Sequence, residues 1–223
     1  NWLIMPIYHF NPFEDITKFV NQNKQLVTKG IAKVKVPLVE VSSSPVSDKN
    51  LQRVALVVGG TGGIGSETCI ELSKLGFRVV INYHTNKKKA MNIKNKITEL
   101  GFIAEMIKAD ITSESEIKEM FSQIIRRFNR IDVIVNCATS KISYKKFEVL
   151  EWEDYSKEFD MNVKSFFNLI KSVLPYMKEQ AYGKIIGITS QATEVPTPQF
   201  SHYITAKASL EGFLLARCWE GRE

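Results

Sequence analysis

The sequence predicts an α/β fold, a doubly wound parallel sheet with helices on both faces, preceded by an N-terminal helical appendage. Three observations carry this. Past residue 50, short apolar runs alternate with amphipathic stretches, the pattern of parallel strands joined by helical crossovers. The first run ends directly in glycines, Gly59-Gly60-Thr61-Gly62-Gly63-Ile64-Gly65. The composition over 223 residues, 44% hydrophobic and 24% charged, is globular and excludes a disordered, collagen-like or wholly membrane-embedded chain.

The elements follow in order. Trp2-Leu3-Ile4-Met5 is apolar but is cut by Pro6 and has no basic stretch before it, so it is neither a signal peptide nor a spanning helix. The chain opens on Asn rather than Met, and an upstream part is expected. Residues 13–36 carry Phe13, Ile16, Phe19, Val20, Leu26, Val27, Ile31 and Val34, the spacing of one amphipathic helix or two short ones. Residues 42–50, SSSPVSDKN, have linker composition. Residues 1–50 therefore read as appendage and linker, and 51–223 as the α/β domain. There the pattern predicts strands over 54–58, 78–82, 103–108, 131–135 and 184–189. Helices over 64–75, 87–100, 113–128, 152–178 and 203–219 alternate with them. Gly76 and Gly101 stop the first two helices, and Ile117, Met120, Phe121 and Ile124 give the third its apolar face.

The net charge is +6, with no basic block dense enough to demand nucleic acid. That balance suits a phosphate-rich cofactor or a thioester substrate, and equally a solvated lysine-rich surface. Cys69, Cys137 and Cys218 are far apart with no CxxC pair, which points to a reducing, cytoplasmic compartment. His9, His84 and His202 lack metal-ligand spacing, so no metal site is expected.

A diphosphate needs close backbone approach, free N–H groups and a positive helix end. Glycines between a strand and a helix supply all three, so Gly59, Thr61, Gly62, Gly63, Ile64 and Gly65 predict dinucleotide binding. Tyr203 and Lys207 stand at i and i+4 on one helix face. Carbonyl reduction needs a hydride on carbon and a proton on oxygen, and a tyrosine can deliver the proton. Bringing its pKa from about 10 to near 7 takes ~4 kcal/mol. An ammonium ~6 Å away at an effective dielectric of ~20 gives ~3 kcal/mol, so Lys207 is expected to lower Tyr203. Ser190, at the end of the fifth strand and thirteen residues before Tyr203, lies where ligands sit in such sheets.

The glycine spacing, Gly59-x3-Gly63-x-Gly65, together with Ser190, Tyr203 and Lys207, resembles the short-chain dehydrogenase/reductase family, from about Arg53 onward. The resemblance implies a Rossmann fold and a catalytic set of Asn162, Ser190, Tyr203 and Lys207. Asn162 matches the family's helix Asn, which holds a water behind the Lys. It also implies cofactor contacts from Asp110 and Ile111 near the adenine and from Asn136 and Ala138 near the nicotinamide, with Tyr203 and Lys207 beside them. Asp110 reads equally as a turn or cap residue. The second strand ends in Asn82-Tyr83-His84 with no acid. A 2′-phosphate would thus be tolerated, met by Asn82 and Lys87 or Lys88, so NADPH is the expected cofactor. Those lysines also read as a solvated helix start.

Three departures from the family pattern stand out: Val58 for its leading Thr, Cys137 and Thr139 in its NNAG segment, and an end at Glu223. Family members continue with further strands, a substrate-covering loop and a helix, so a C-terminally truncated form is expected. Cys137 reads as a small buried side chain or, alternatively, a nucleophile. Residues 59–80 look most like acetoacetyl-CoA reductases and 3-oxoacyl-[acyl-carrier-protein] reductases. Residues 13–30 resemble phasins, which coat polyhydroxyalkanoate granules and would favour acetoacetyl-CoA. The expected activity is NADPH-dependent reduction of a 3-oxoacyl thioester carried on CoA or acyl-carrier protein. The alternatives are a non-catalytic dinucleotide-binding scaffold, or a reductase of another small carbonyl or sugar. A homo-oligomer, dimer or tetramer, is also implied, paired through the stripe Val163, Phe166, Phe167, Ile170, Leu174 and Met177, part of which reads as the chain's own core face.

Overall fold

Val54–Val58 (β2) is apolar at every position and fully buried, as a strand covered on both faces must be. In the computed structural model, which describes residues 3–7, 52–141 and 143–220, β2 lies inside a parallel sheet. It is followed by α1 (Gly63–Lys74), β3 (Arg78–Tyr83), α2 (Lys87–Glu99), β4 (Ala104–Lys108), α3 (Glu114–Phe128) and β5 (Val133–Asn136). Then come α4 (Trp152–Phe159), a π turn (Asp160–Lys164), α5 (Ser165–Glu179), β6 (Lys184–Ile188) and α6 (Ser201–Glu220). The predicted helix over 13–36, the linker over 42–50 and the phasin-like stretch lie outside the described residues.

The sheet has six parallel strands in the order β1-β6-β5-β2-β3-β4, β1 being Leu3–Ile7. The chain runs outward from β2 through β3 and β4, then returns to the other side of β2 with β5 and β6. The reversal between β2 and β5 is the point where ligands bind in open α/β sheets. β1 was not foreseen as a strand. It pairs along β6 from Leu3 with Lys184 to Ile7 with Ile188. Pro6 lacks an N–H and breaks the sequence signal, but an edge strand tolerates that loss.

Alternate residues of β2 feed two cores. Val54, Leu56 and Val58 pack with Phe121 of α3, Phe166 and Leu169 of α5, and Leu214 of α6. Val57 faces the other way, with Cys69 and Ile70 of α1 and Ile93 and Ile97 of α2. Helices on both faces make the sheet doubly wound, as expected. At the sheet's far end, buried Asp132 accepts from Val54 N at 2.8 Å and from Arg130 at 2.6 and 2.8 Å, tying β2 to β5.

The stretch 152–178 is largely helical, as expected, with the π turn joining α4 to α5. Of the apolar stripe, Phe166, Ile170 and Met177 belong to the chain's own core. Phe167 does face outward, as does Leu215 on α6.

Candidate active site

The residues that bear on chemistry collect at the carboxyl ends of β2, β5 and β6. After β2, Gly59 turns with φ +68°, a conformation that favours glycine. A Cβ there would lie 2.7 Å from Ala138 Cα, so the loop and the segment after β5 meet backbone to backbone. At Gly65 a Cβ would stand 2.3 Å from Gly59 O. Gly62 N–H closes the turn onto Gly59 O at 2.9 Å. The N-terminus of α1 has no side-chain cap and no acid in its first turn. Its first N–H groups, those of Gly63, Ile64 and Gly65, lack intrahelical partners by helix geometry. Gly62, Gly63 and Ile64 are exposed, with Thr61 half-buried beside them. Uncapped donors, a positive helix end and no side chain in the way fit a dinucleotide diphosphate.

Asn82 takes a different part from the one expected. It is 2% exposed, its Oδ1 accepts from Gly59 N at 3.2 Å, and its Nδ2 donates to Ala109 O at 3.1 Å. Both ends of the amide are engaged, so it braces the glycine loop and does not reach toward a phosphate. Lys87 and Lys88 remain exposed at the start of α2. Asp110 adopts its turn role: Oδ1 accepts from Thr112 N and Oγ1, both at 2.8 Å, and Oδ2 lies 3.7 Å from His84 Nε2. Burial raises its carboxyl, but the hydrogen bonds from Thr112 outweigh this and hold it below the ordinary value. Ile111 is buried in the core. Asn136 Oδ1 accepts from Ala138 N at 3.2 Å, and Cys137 N donates to Val58 O at 2.9 Å. Burial pushes the Cys137 thiol up to about 11, which leaves little nucleophilic thiolate and favours the packing role.

Ser190 follows β6 and caps a 3-10 turn, Gln191–Thr193, with Oγ accepting from Ala192 N at 3.2 Å. The helix α6 carries Tyr203 and Lys207 one turn apart. The Ser190 side chain acts on Tyr203, favouring its ionised form. Lys207 Nζ lies 5.8 Å from the Tyr203 ring centroid and donates to Ile188 O at 2.9 Å. Lys207 is only 3% exposed. Burial brings its pKa down to about 8, although Glu158 and Glu211 pull the other way.

Tyr203 departs from expectation in direction. Its pKa is raised, first by burial and then by the charge of Glu158, with the Ser190 side chain opposing. Removal from water outweighs any help from Lys207, whose ammonium is turned to the Ile188 carbonyl. A raised value keeps the phenol protonated at neutral pH, which is what a proton donor requires.

Asn162 sits in the π turn, where Ser165 N–H reaches back five residues to Asp160 O. Asn162 Nδ2 donates to Glu158 O at 2.9 Å, and Ser165 Oγ donates to Met161 O. Asn162 Nδ2 also donates to Glu158 Oε2 at 3.0 Å. Ser190, Tyr203 and Lys207 are thus brought together. Asn162 joins them through Glu158, a buried carboxylate that the sequence reading passed over. Its signal was a charged residue one turn before Asn162 on a helix that packs against α6.

A family model described as short chain dehydrogenase matches residues 53–221. The chain is 32% identical to the 3-oxoacyl-[acyl-carrier-protein] reductase FabG of Staphylococcus epidermidis over 164 residues, 73% of this chain and 66% of that protein. It is 34% identical to the acetoacetyl-CoA reductase of Allochromatium vinosum over 174 residues, 77% of this chain and 70% of that protein. The chain therefore spans about two thirds of the length of these curated relatives. Among solved structures, a metagenomic short-chain oxidoreductase in complex with NADP matches with TM-score 0.72 and 26% identity, over 77% of this chain and 78% of that one. An NAD+-bound xylitol dehydrogenase matches with TM-score 0.69 and 25% identity, over 74% of this chain and 64% of that one.

Proposed function

The chain belongs to the short-chain dehydrogenase family, and from that premise we propose that it is an oxidoreductase using NADPH to reduce a 3-oxoacyl thioester to the 3-hydroxyacyl thioester. The observation that carries this reading is Tyr203 beside buried Lys207 on α6, Nζ 5.8 Å from the ring centroid, with Ser190 at the carboxyl end of β6.

A nicotinamide cofactor, when bound, would supply the hydride. The chain's own residues handle the oxygen. Ser190 and Tyr203 both donate to the substrate carbonyl oxygen, and Tyr203 gives up its proton as charge builds there. Lys207, an ammonium below pH of about 8, stabilises the phenolate that remains and passes a proton toward it. Asn162 and Glu158 hold the helices behind Lys207 in place. The glycine loop and the start of α1 would hold the diphosphate, Lys87 or Lys88 would meet a 2′-phosphate, and Asn136 and Ala138 would lie on the nicotinamide side.

The thioester class is supported by the likeness to the two reductases, and NADPH by the absence of an acid at Asn82-Tyr83-His84. Two features support pairing of a second copy across α5 and α6: the exposed Phe167 and Leu215. The free Cys69 and Cys137 suit a reducing cytoplasm, and among the described residues no helix is long and apolar enough to cross a membrane. The test is cofactor oxidation with acetoacetyl-CoA, with NADPH and NADH compared, against a panel of small ketones and sugars. Faster turnover of the thioester with NADPH is expected. Preference for a panel member or for NADH overturns the respective assignment.

A further inference from the structure

Glu158 is 4% exposed yet carries a charge-bearing side chain on a helix packed against α6. Its Oε1 accepts from Ser140 Oγ and its Oε2 from Asn162 Nδ2 at 3.0 Å. Two donors converge on it, the pattern of an ionised carboxylate. Asn162 thereby points its amide nitrogen at Glu158, and Asn162 Oδ1 is left buried without a hydrogen-bond partner among the described residues. A charge held this deep, with hydrogen bonds to both oxygens, needs a positive partner. The charge of Glu158 acts on both Lys207 and Tyr203.

We propose that Glu158 is a positioning residue of the proton relay: buried on α4 where it packs against α6, it is the acidic partner of buried Lys207 while its hydrogen bonds hold Asn162. The proposal rests on the oxidoreductase reading for its purpose. The physical coupling can be read without substrate or cofactor.

Three groups act electrostatically on Lys207: Glu158 on α4, Glu211 on its own helix and Cys137 after β5. The Tyr203 ring centroid lies 5.8 Å from its Nζ. Glu211 is held by Thr193 Oγ1 at 2.8 Å. Only Glu158 bonds Asn162 and acts on Tyr203 as well. Removing its charge shifts both groups in one direction: Lys207 releases its proton more readily, and so does Tyr203.

The experiment is an NMR titration of the full chain with 13Cε-labelled lysine, with Lys207 assigned from the Lys207→Arg variant. In Glu158→Gln, which keeps the shape and can still bond Ser140 and Asn162, the Lys207 midpoint falls by about one pH unit. Glu158→Asp keeps the charge at a greater reach and lowers the midpoint by less. Should Glu158→Gln not fold, the same downward shift in Glu158→Asp is the readout. An unchanged midpoint in the folded variant overturns the proposal, because a purely structural role would cost stability without moving Lys207. In kinetics, the alkaline limb of the reduction rate moves down in Glu158→Gln while KM for the cofactor holds. If no substrate turns over at all, the functional reading fails while the titration still decides the coupling.

Discussion

Lys207 is pulled two ways. Burial favours its neutral form, and the carboxylates of Glu158 and Glu211 favour its charged one. Burial wins in part, leaving a pKa of about 8 against an ordinary 10.5. Reduction needs Lys207 charged and Tyr203 protonated, and Tyr203 is raised by its burial. The rate of reduction is therefore expected to be level below pH of about 8 and to fall as pH rises through that value, with Lys207 setting the limb. Stability follows the opposite sign. Between about pH 8 and 10.5 the unfolded chain holds a proton that the folded chain has released. The contribution of Lys207 to stability is then fully present above 10.5 and is lost as pH falls through about 8. Urea unfolding across this range should show that slope in the wild type and lose it in Lys207→Met. That Tyr203 and Lys207 share a helix face and that Ser190 follows a strand end was legible in the sequence, because a helix turn and a strand end fix where such side chains go, and the family resemblance singled them out. The direction of the Tyr203 shift was not, because burial by distant segments leaves no local mark in sequence. Asn82 misled for a similar reason: its type suits a polar ligand as well as it suits a loop brace.

The glycine loop works as backbone rather than as side chains. Its contact with Ala138 and the close approach of Gly65 to Gly59 O leave no room for a methyl group. Gly65→Ala is expected to cost about 1–3 kcal/mol in urea unfolding, through overpacking. It should also weaken NADPH binding at least tenfold in a fluorescence titration, because the first turn of α1 must move to relieve the clash. Unaltered affinity in a folded variant would mean that the loop is not the diphosphate cradle. This element could be read from sequence, since strand, glycines and helix adjoin in the chain. The π turn could not. It is marked by a five-residue hydrogen bond from Ser165 to Asp160, with Asn162 and Ser165 side chains bonding the Glu158 and Met161 carbonyls, features that apolar spacing does not record.

The architecture sets the glycine loop, Asn136 and Ser190, all proposed site residues, on one rim. Parallel strands all deliver their carboxyl ends to the same side, so the ends of β2, β5 and β6 meet there although they are far apart in sequence. Alternation of strand and helix made this arrangement legible beforehand. The outer strand β1 was not legible: five residues with a proline become a strand only because β6 offers an edge to pair with. The stripe on α5 was likewise ambiguous in sequence, since apolar spacing marks a buried face without saying whether its own chain or a second copy covers it. Most of it meets the chain's own core.

The central claim is that Tyr203 delivers a proton to a substrate carbonyl at this rim. It is tested most directly by following NADPH oxidation with acetoacetyl-CoA in the wild type and in Tyr203→Phe. Loss of the hydroxyl should lower turnover by about 10²–10⁴-fold, the usual worth of a positioned acid, with NADPH affinity retained. Equal turnover in the two proteins would contradict the account.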